Sequence, residues 1–205
     1  MIEVVLATAN AHKVAEFQAL FDASALDVRV APFEGPSPAE TGTSFAENAL
    51  IKARAAAAAT GQIAIADDSG ICVRVMGDAP GIFSARWAGE RASDAANRQL
   101  LLEQLADIPA EHRYAAFHCE IAVVVPAVHD PEGHGGELTV AGRWPGHIAS
   151  ESAGEHGFGY DPVFLPAGFA ITAAELKPEI KNEHSHRARA FAELTTVLTE
   201  LFEQR

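Results

Sequence analysis

Basic residues are scarce in this 205-residue chain, with 15 Lys and Arg against 28 Asp and Glu and a net charge of −13. A surface of that sign disfavours nonspecific attachment to nucleic-acid backbone or to an anionic membrane, so any phosphate must be gripped by a few local cations. No stretch reaches the ~18 uninterrupted apolar residues of a spanning helix, and Met1-Ile2-Glu3-Val4-Val5-Leu6 has no basic segment before its apolar run. The expectation is a cytosolic protein. Cys72 and Cys119 are too few for a disulfide framework and sit in apolar, strand-like runs, which predicts small buried hydrophobes. Also missing is any glycine-rich phosphate loop of the Walker or dinucleotide type. What remains, 48% apolar and 21% charged, is the composition of an ordinary globular protein of one large domain or two small lobes.

The informative stretch is Ile63-Ala64-Ile65-Ala66-Asp67-Asp68-Ser69-Gly70, where an apolar run ends in two carboxylates, a hydroxyl and a glycine. The pattern predicts a strand delivering acids to a tight turn at its carboxyl end, with Ile71 to Val75 as the strand beyond. Two hard oxygen donors there suit Mg²⁺, which keeps several waters and bridges to substrate phosphates. The alternative is a polar turn whose Asp and Ser make only local bonds.

Earlier in the chain, Glu3 to Ala7 reads as a buried strand. The polar segment Thr8 to Lys13 follows, then a helix with Val14, Phe17, Leu20 and Phe21 on one stripe and Asn10 as its cap. A strand, a polar turn and a helix start form an anion-binding layout, in which Thr8, Asn10 and Lys13 would hold phosphate by side chains; the alternative is a capped helix with an exposed lysine. Asp27 to Ala31 reads as a second strand. Pro32 to Thr43, containing Glu40, is a loop. Ser44 and Glu47 have capping-box spacing for an alanine-rich helix, Phe45 to Ala59, that Gly61 terminates. Asn48 and Lys52 share one of its faces, which either meets a ligand or is solvated.

Ser93 or Asp94 caps a helix to about Asp107 with Leu101, Leu102 and Leu105 on its apolar side, and no chemistry is read there. Ala115 to Val123 alternates as a long strand, with His118 structural, and Leu138 to Trp144 alternates as its return. His129 and His134, in the loop between them, fit no closed zinc pattern. Gly154 to Pro162 combines glycines with Phe158, Tyr160 and Asp161; its aromatics either stack on a base or are tucked into the core. Thr172 to Glu175 has capping-box spacing for a short helix limited by Pro178. A terminal helix after Ser185 carries a stripe through Phe191, Leu194, Val197, Leu198 and Leu201. Lys181, His186 and Arg187 cluster near its start, where cations oppose the helix dipole and hint at an anionic or carbonyl-bearing ligand.

Taken together, Thr8-Ala9-Asn10-Ala11-His12-Lys13, Ser44 to Ala49 with Lys52, Ala66 to Gly70, Phe158-Gly159-Tyr160-Asp161-Pro162 and Ser185-His186-Arg187 resemble the Ham1-like inosine triphosphate pyrophosphatases along essentially the whole chain. The resemblance implies an α/β fold with an elongated mixed β-sheet and flanking helices forming two lobes around a central nucleotide cleft. It implies one such domain over 1–205 and a homodimer. The implied activity is hydrolysis of ITP, dITP and XTP to monophosphate plus pyrophosphate with Mg²⁺, clearing deaminated purines from the nucleotide pool. It further implies substrate contacts through Thr8, Ala9, Asn10, Ala11, His12, Lys13, Lys52 and Ser69, with Phe158 stacking on the base and Gly159, Tyr160, Asp161, Lys181, His186 and Arg187 completing the pocket. Glu40 and Asp68 would ligate the metal, Asp68 would also accept the water's proton, and Asp67 would support them. Family members commonly carry Gly or Asn where this chain has Ala9, and Pro126 to Gly136 matches none of the family's motifs. A non-hydrolytic nucleotide sensor, or a pyrophosphatase for other modified nucleotides, is the alternative.

Overall fold

The computed structural model describes residues 2–8, 11–130 and 133–203, with side chains at all of these except 11, 12 and 200–203. Seven strands form one mixed sheet: β1 (Ile2–Leu6), β2 (Val28–Pro32), β3 (Ile63–Val73), β4 (Ala79–Pro80), β5 (Tyr114–Val125), β6 (Gly136–Ile148) and β7 (Phe164–Pro166). Their order is β2-β1-β3-β5-β6-β7, with β4 paired to β3. β1 runs parallel to β2 and β3, while β4 and β7 are antiparallel to β3 and β6. The helices are α1 (Ala11–Asp22), α2 (Phe45–Thr60), α3 (Asp94–Gln104), α4 (Pro178–His184) and α5 (His186–Glu203). Among the described residues no helix is long and apolar enough to cross a membrane.

The chain divides into two compact units, one of Met1–Asp68, Glu120–Ala141 and Ala190–Arg205 and the other of Ser69–Cys119 and Gly142–Arg189. In the first, the α1 stripe buries Phe17 and Phe21 edge-on against Phe191 of α5, at centroid distances of 6.2 and 4.8 Å. Such pairs add about 0.5–1.5 kcal/mol beyond their buried area. α2 begins at Ser44, whose hydroxyl accepts from Glu47 N, and ends at Gly61 with φ 69°, as the sequence predicts. Its buried Ala49, Ala53, Ala56 and Ala57 let the helix lie close to Ala64 and Ala66 of β3 and Ala122 of β5. Side chains alternate along a strand, so Asp68 continues the Ala64–Ala66 face toward α2 and Asp67 belongs to the other face. In the second unit, Ile71 and Val73 of β3, Leu101 and Leu105 at α3, Phe117 of β5, Trp144 of β6 and Phe164 of β7 share one core. Both cysteines are buried.

Two expected elements differ. Asp67 to Gly70 is not a turn: β3 runs unbroken through it. The amide of Ile71 donates to the Ser84 hydroxyl at 2.9 Å, and a Cβ on Gly70 would collide with Gly81 O and Ser84 Oγ, so the glycine admits a neighbouring segment rather than a bend. Thr172 to Glu175 forms no helix either. Thr172 N donates to Glu175 Oε2 at 2.8 Å, but its hydroxyl is drawn to Ala153 O and the chain makes only a turn. Pro178, expected to limit a helix, starts α4 instead, in the first-turn position where a missing N–H costs nothing.

Candidate active site

In the first unit, the two acids of β3 each meet a lysine. Lys13 Nζ, on α1, donates to both carboxylate oxygens of Asp67, at 2.8 and 2.9 Å. Lys52 Nζ, on α2, donates to Asp68 Oδ1 at 2.9 Å and to Glu40 Oε1 at 3.1 Å. Asn48, one turn before Lys52, is fully buried rather than solvated; its Oδ1 accepts from Gly42 N at 2.9 Å, and its amide lies 3.5 Å from Asp68. That bridge ties the Glu40 loop to the strand. Thr8, Lys13, Lys52 and Asp67 line a cavity of ≈ 400 Å³, together with Phe33, Gly35 and Ser37. Ala9 and Asn10 lie outside the described residues, as do the side chains of Ala11 and His12, which begin α1.

Three carboxylates here share two lysines. Burial works against the charge on Lys52, but Asp68, Glu40 and Asp67 outweigh it and hold the ammonium above its usual range. Burial, with the charge of Glu40, leaves Asp68 above the ordinary carboxylate range despite Lys52 and Asn48. The unmatched negative charge is what a dication would relieve. Among the described residues, no group of three or more His, Cys, Asp or Glu side chains is placed to hold a metal. Glu40 and Asp68 therefore offer two hard carboxylates, a set that fits a cation retaining most of its waters.

The second unit holds the other motif residues around a cavity of ≈ 130 Å³ lined by Ser69, Phe158 to Asp161, Lys181, His186 and Arg187. The two aromatics divide: Phe158 is 59% exposed, whereas Tyr160 is buried and its hydroxyl donates to Ser84 O at 2.9 Å. Burial and the nearby charge of Asp94 push that phenol well above its usual range, so it stays a donor. Lys181 Nζ and the Arg187 guanidinium each lie 5.2 Å from the centre of the Phe158 ring. Arg187 also donates to Ser69 Oγ at 3.2 Å. Lys181 is bonded to buried Asp161, whose same oxygen accepts from Phe158 N at 2.8 Å. Gly157 has φ 77°, and a Cβ there would strike that oxygen. His186 stacks on Phe117 with centroids 4.8 Å apart and 12° between planes.

Other residues of this cavity carry no site role in the sequence reading: Ser84, Ala85, Asn97 and, on α3, Asp94, read there only as a candidate helix cap. Asp94 Oδ2 accepts from Gly159 N at 2.7 Å, and Arg98 donates to Gly159 O at 2.7 Å. Their four-residue spacing on a predicted helix was the available signal.

The chain is a mixed α/β protein whose first unit carries an acid–lysine cluster and whose second carries an exposed aromatic beside two cations, and similarity says which family it falls in. The structure of a HAM1 protein from Coxiella burnetii is similar with TM-score 0.87 and 45% identity, over 98% of this chain and 100% of that one. The Staphylococcus aureus Ham1 protein gives 0.85 and 36%, over 97% and 98%. A protein of Leifsonia xyli subsp. xyli named dITP/XTP pyrophosphatase is 54% identical over 202 residues, 98% of each chain. Residues 4–197 match the Ham1 family. The chain belongs to the Ham1 family.

Proposed function

We propose that this chain hydrolyses non-canonical purine nucleoside triphosphates, dITP, ITP and XTP, to the monophosphate and pyrophosphate. The observation that carries the reading is Lys52 Nζ held between Glu40 and Asp68, a cation and two carboxylates prepared for a polyphosphate and its counter-cation. The names of the relatives support the same activity.

Lys13, Lys52 and Thr8 bind the phosphates, and Phe158 stacks on the base, an interaction worth roughly 1–3 kcal/mol. Hydrolysis needs positioning and charge neutralisation more than covalent help. Water attacks the α-phosphorus, its proton passes to the Asp68 carboxylate, and the bond to the β-phosphate oxygen breaks to release pyrophosphate. Burial already favours the protonated form of that carboxyl, which suits it to take a proton. Mg²⁺ held by Glu40 and Asp68 would supply charge neutralisation and polarise the reacting oxygens. Arg187 and Lys181 donate hydrogen bonds and cannot accept them, so they favour the C6 oxygen of hypoxanthine and xanthine over the amino group of adenine. The whole chain acts as one domain, in a cytosolic homodimer that sedimentation would detect.

Product analysis tests the reading. dITP with Mg²⁺ should give dIMP and pyrophosphate as first products; dIDP and inorganic phosphate would sink it.

A further inference from the structure

Phe158 joins an exposed ring to a fully engaged backbone. Its N–H donates to Asp161 Oδ2 at 2.8 Å, and its carbonyl accepts from Asp161 N at 3.2 Å. The next residue, Gly159, is held by α3 alone: Asp94 takes its N–H and Arg98 takes its carbonyl, each at 2.7 Å. Those two peptides lie in a loop without a strand ladder, where backbone groups would ordinarily turn to water. Both bonds are charge-assisted, the stronger kind. Gly159, with φ 58°, takes a conformation that costs a side-chain-bearing residue more. Asp94 and Arg98 sit one helical turn apart, so a single rigid element grips the loop from both sides of its αL residue.

The exposed ring of Phe158 is carried on that backbone, with Lys181 and Arg187 each 5.2 Å from its centre, and a ring that must lie parallel to a base loses affinity for every alternative orientation its backbone allows. We propose that Asp94 and Arg98 are positioning residues that fix the plane of Phe158 for base stacking, so that base affinity depends on α3 while the phosphate chemistry does not. The inference rests on the nucleotide reading above. A purely structural tether would weaken the whole protein; a positioning clamp weakens only what Phe158 does.

The experiment is a double-mutant cycle between Asp94→Ala and Phe158→Ala, and another between Arg98→Ala and Phe158→Ala. KM and kcat are read for dITP, alongside inhibition by inorganic tripolyphosphate, a probe with phosphates and no base, and Tm is recorded. Each single substitution should raise KM for dITP roughly 10-fold, within the range of one lost base–aromatic stack, and change the tripolyphosphate inhibition constant less than about twofold. Combined with Phe158→Ala, neither should add a further loss. Asp94→Asn and Arg98→Lys, which keep an acceptor and a donor, should recover most of the affinity and serve if an alanine variant does not fold. Additive losses, or tripolyphosphate inhibition weakened as much as dITP binding, overturn the clamp. Wild-type protein that binds dITP without turnover refutes the hydrolase reading instead, and the same cycles are then scored on Kd.

Discussion

Lys13 donates to both oxygens of Asp67, 2.8 and 2.9 Å away, so one cation engages the whole carboxylate of the first acid of the pair. Asp68 shares Lys52 with Glu40. The two neighbours therefore have different partners, and kinetics should separate their roles. Asp68→Asn should lower kcat by ~10²–10⁴, the range for losing a general base, with Tm nearly unchanged. Asp67→Asn should act mainly on KM, through a Lys13 that has lost its anchor. Reversal of those two patterns would make Asp67 the base.

The proposed divalent-metal dependence has a readout besides turnover. Glu40 and Asp68 add negative charge to a site with too few cations, so Mg²⁺ should raise the Tm of the wild-type protein by binding the folded state. Chelation should abolish hydrolysis with the fold intact. In Glu40→Gln and Asp68→Asn the Mg²⁺-induced Tm rise should shrink; an equal rise in both would place the ion elsewhere.

Glu120 makes a separate prediction about pH. Burial alone holds its carboxyl above the usual range of about 4.3, so the folded state binds its proton more tightly than the unfolded chain does. Stability is then greatest below the ordinary value and is lost as pH rises through the shifted one, leaving a penalty at pH 7. Glu120→Gln, neutral throughout, should be modestly more stable than wild type at pH 7 and lose that advantage below about pH 4. Thermal melts across this range check it, and an advantage independent of pH would assign the effect to packing.

The proposed role of Arg187 in base selection has its own test, since its guanidinium reaches Ser69 Oγ and lies over Phe158. Arg187→Ala should reduce kcat/KM for ITP far more than for ATP, narrowing a ratio that a donor-lined site can hold at ~10⁴. Phe158→Ala should weaken all bases alike. Equal losses for ITP and ATP in Arg187→Ala would make it a phosphate or structural residue.

Local patterns were legible and distant ones were not. α2 shows in its caps and alanines, and α5 in the spacing of Phe191, Leu194 and Leu198, because each signal lies within a few residues of its effect. Thr8, Lys13, the two acids, Phe158 and the Lys181–Arg187 cluster stood out in local patterns with alternatives left open, and the resemblance supplied their roles. The run Asp67 to Gly70 misled because its turn-forming residues are satisfied from far along the chain, Ile71 N by Ser84 and Asp67 by Lys13. Asn48 looked like a surface residue because its partner, Gly42 N, comes from a loop whose path no periodicity reveals. The spacing of Asp94 and Arg98 put them on one helix face but did not show what they hold, which is backbone 65 and 61 residues away.

The division of the acids between α1 and α2 makes the parity of β3 part of the chemistry. β1 fixes the strand in register at Ile63, Ala64 and Ile65, so removing Ala66, the one residue between there and Asp67, would turn each acid to the opposite face of the sheet without changing a single functional side chain. Gain of two residues there would restore the faces, though not the reach. Across relatives of this protein, length variation should therefore be excluded from the segment before Asp67 as strictly as substitution of the acids themselves, and fall in the loops instead.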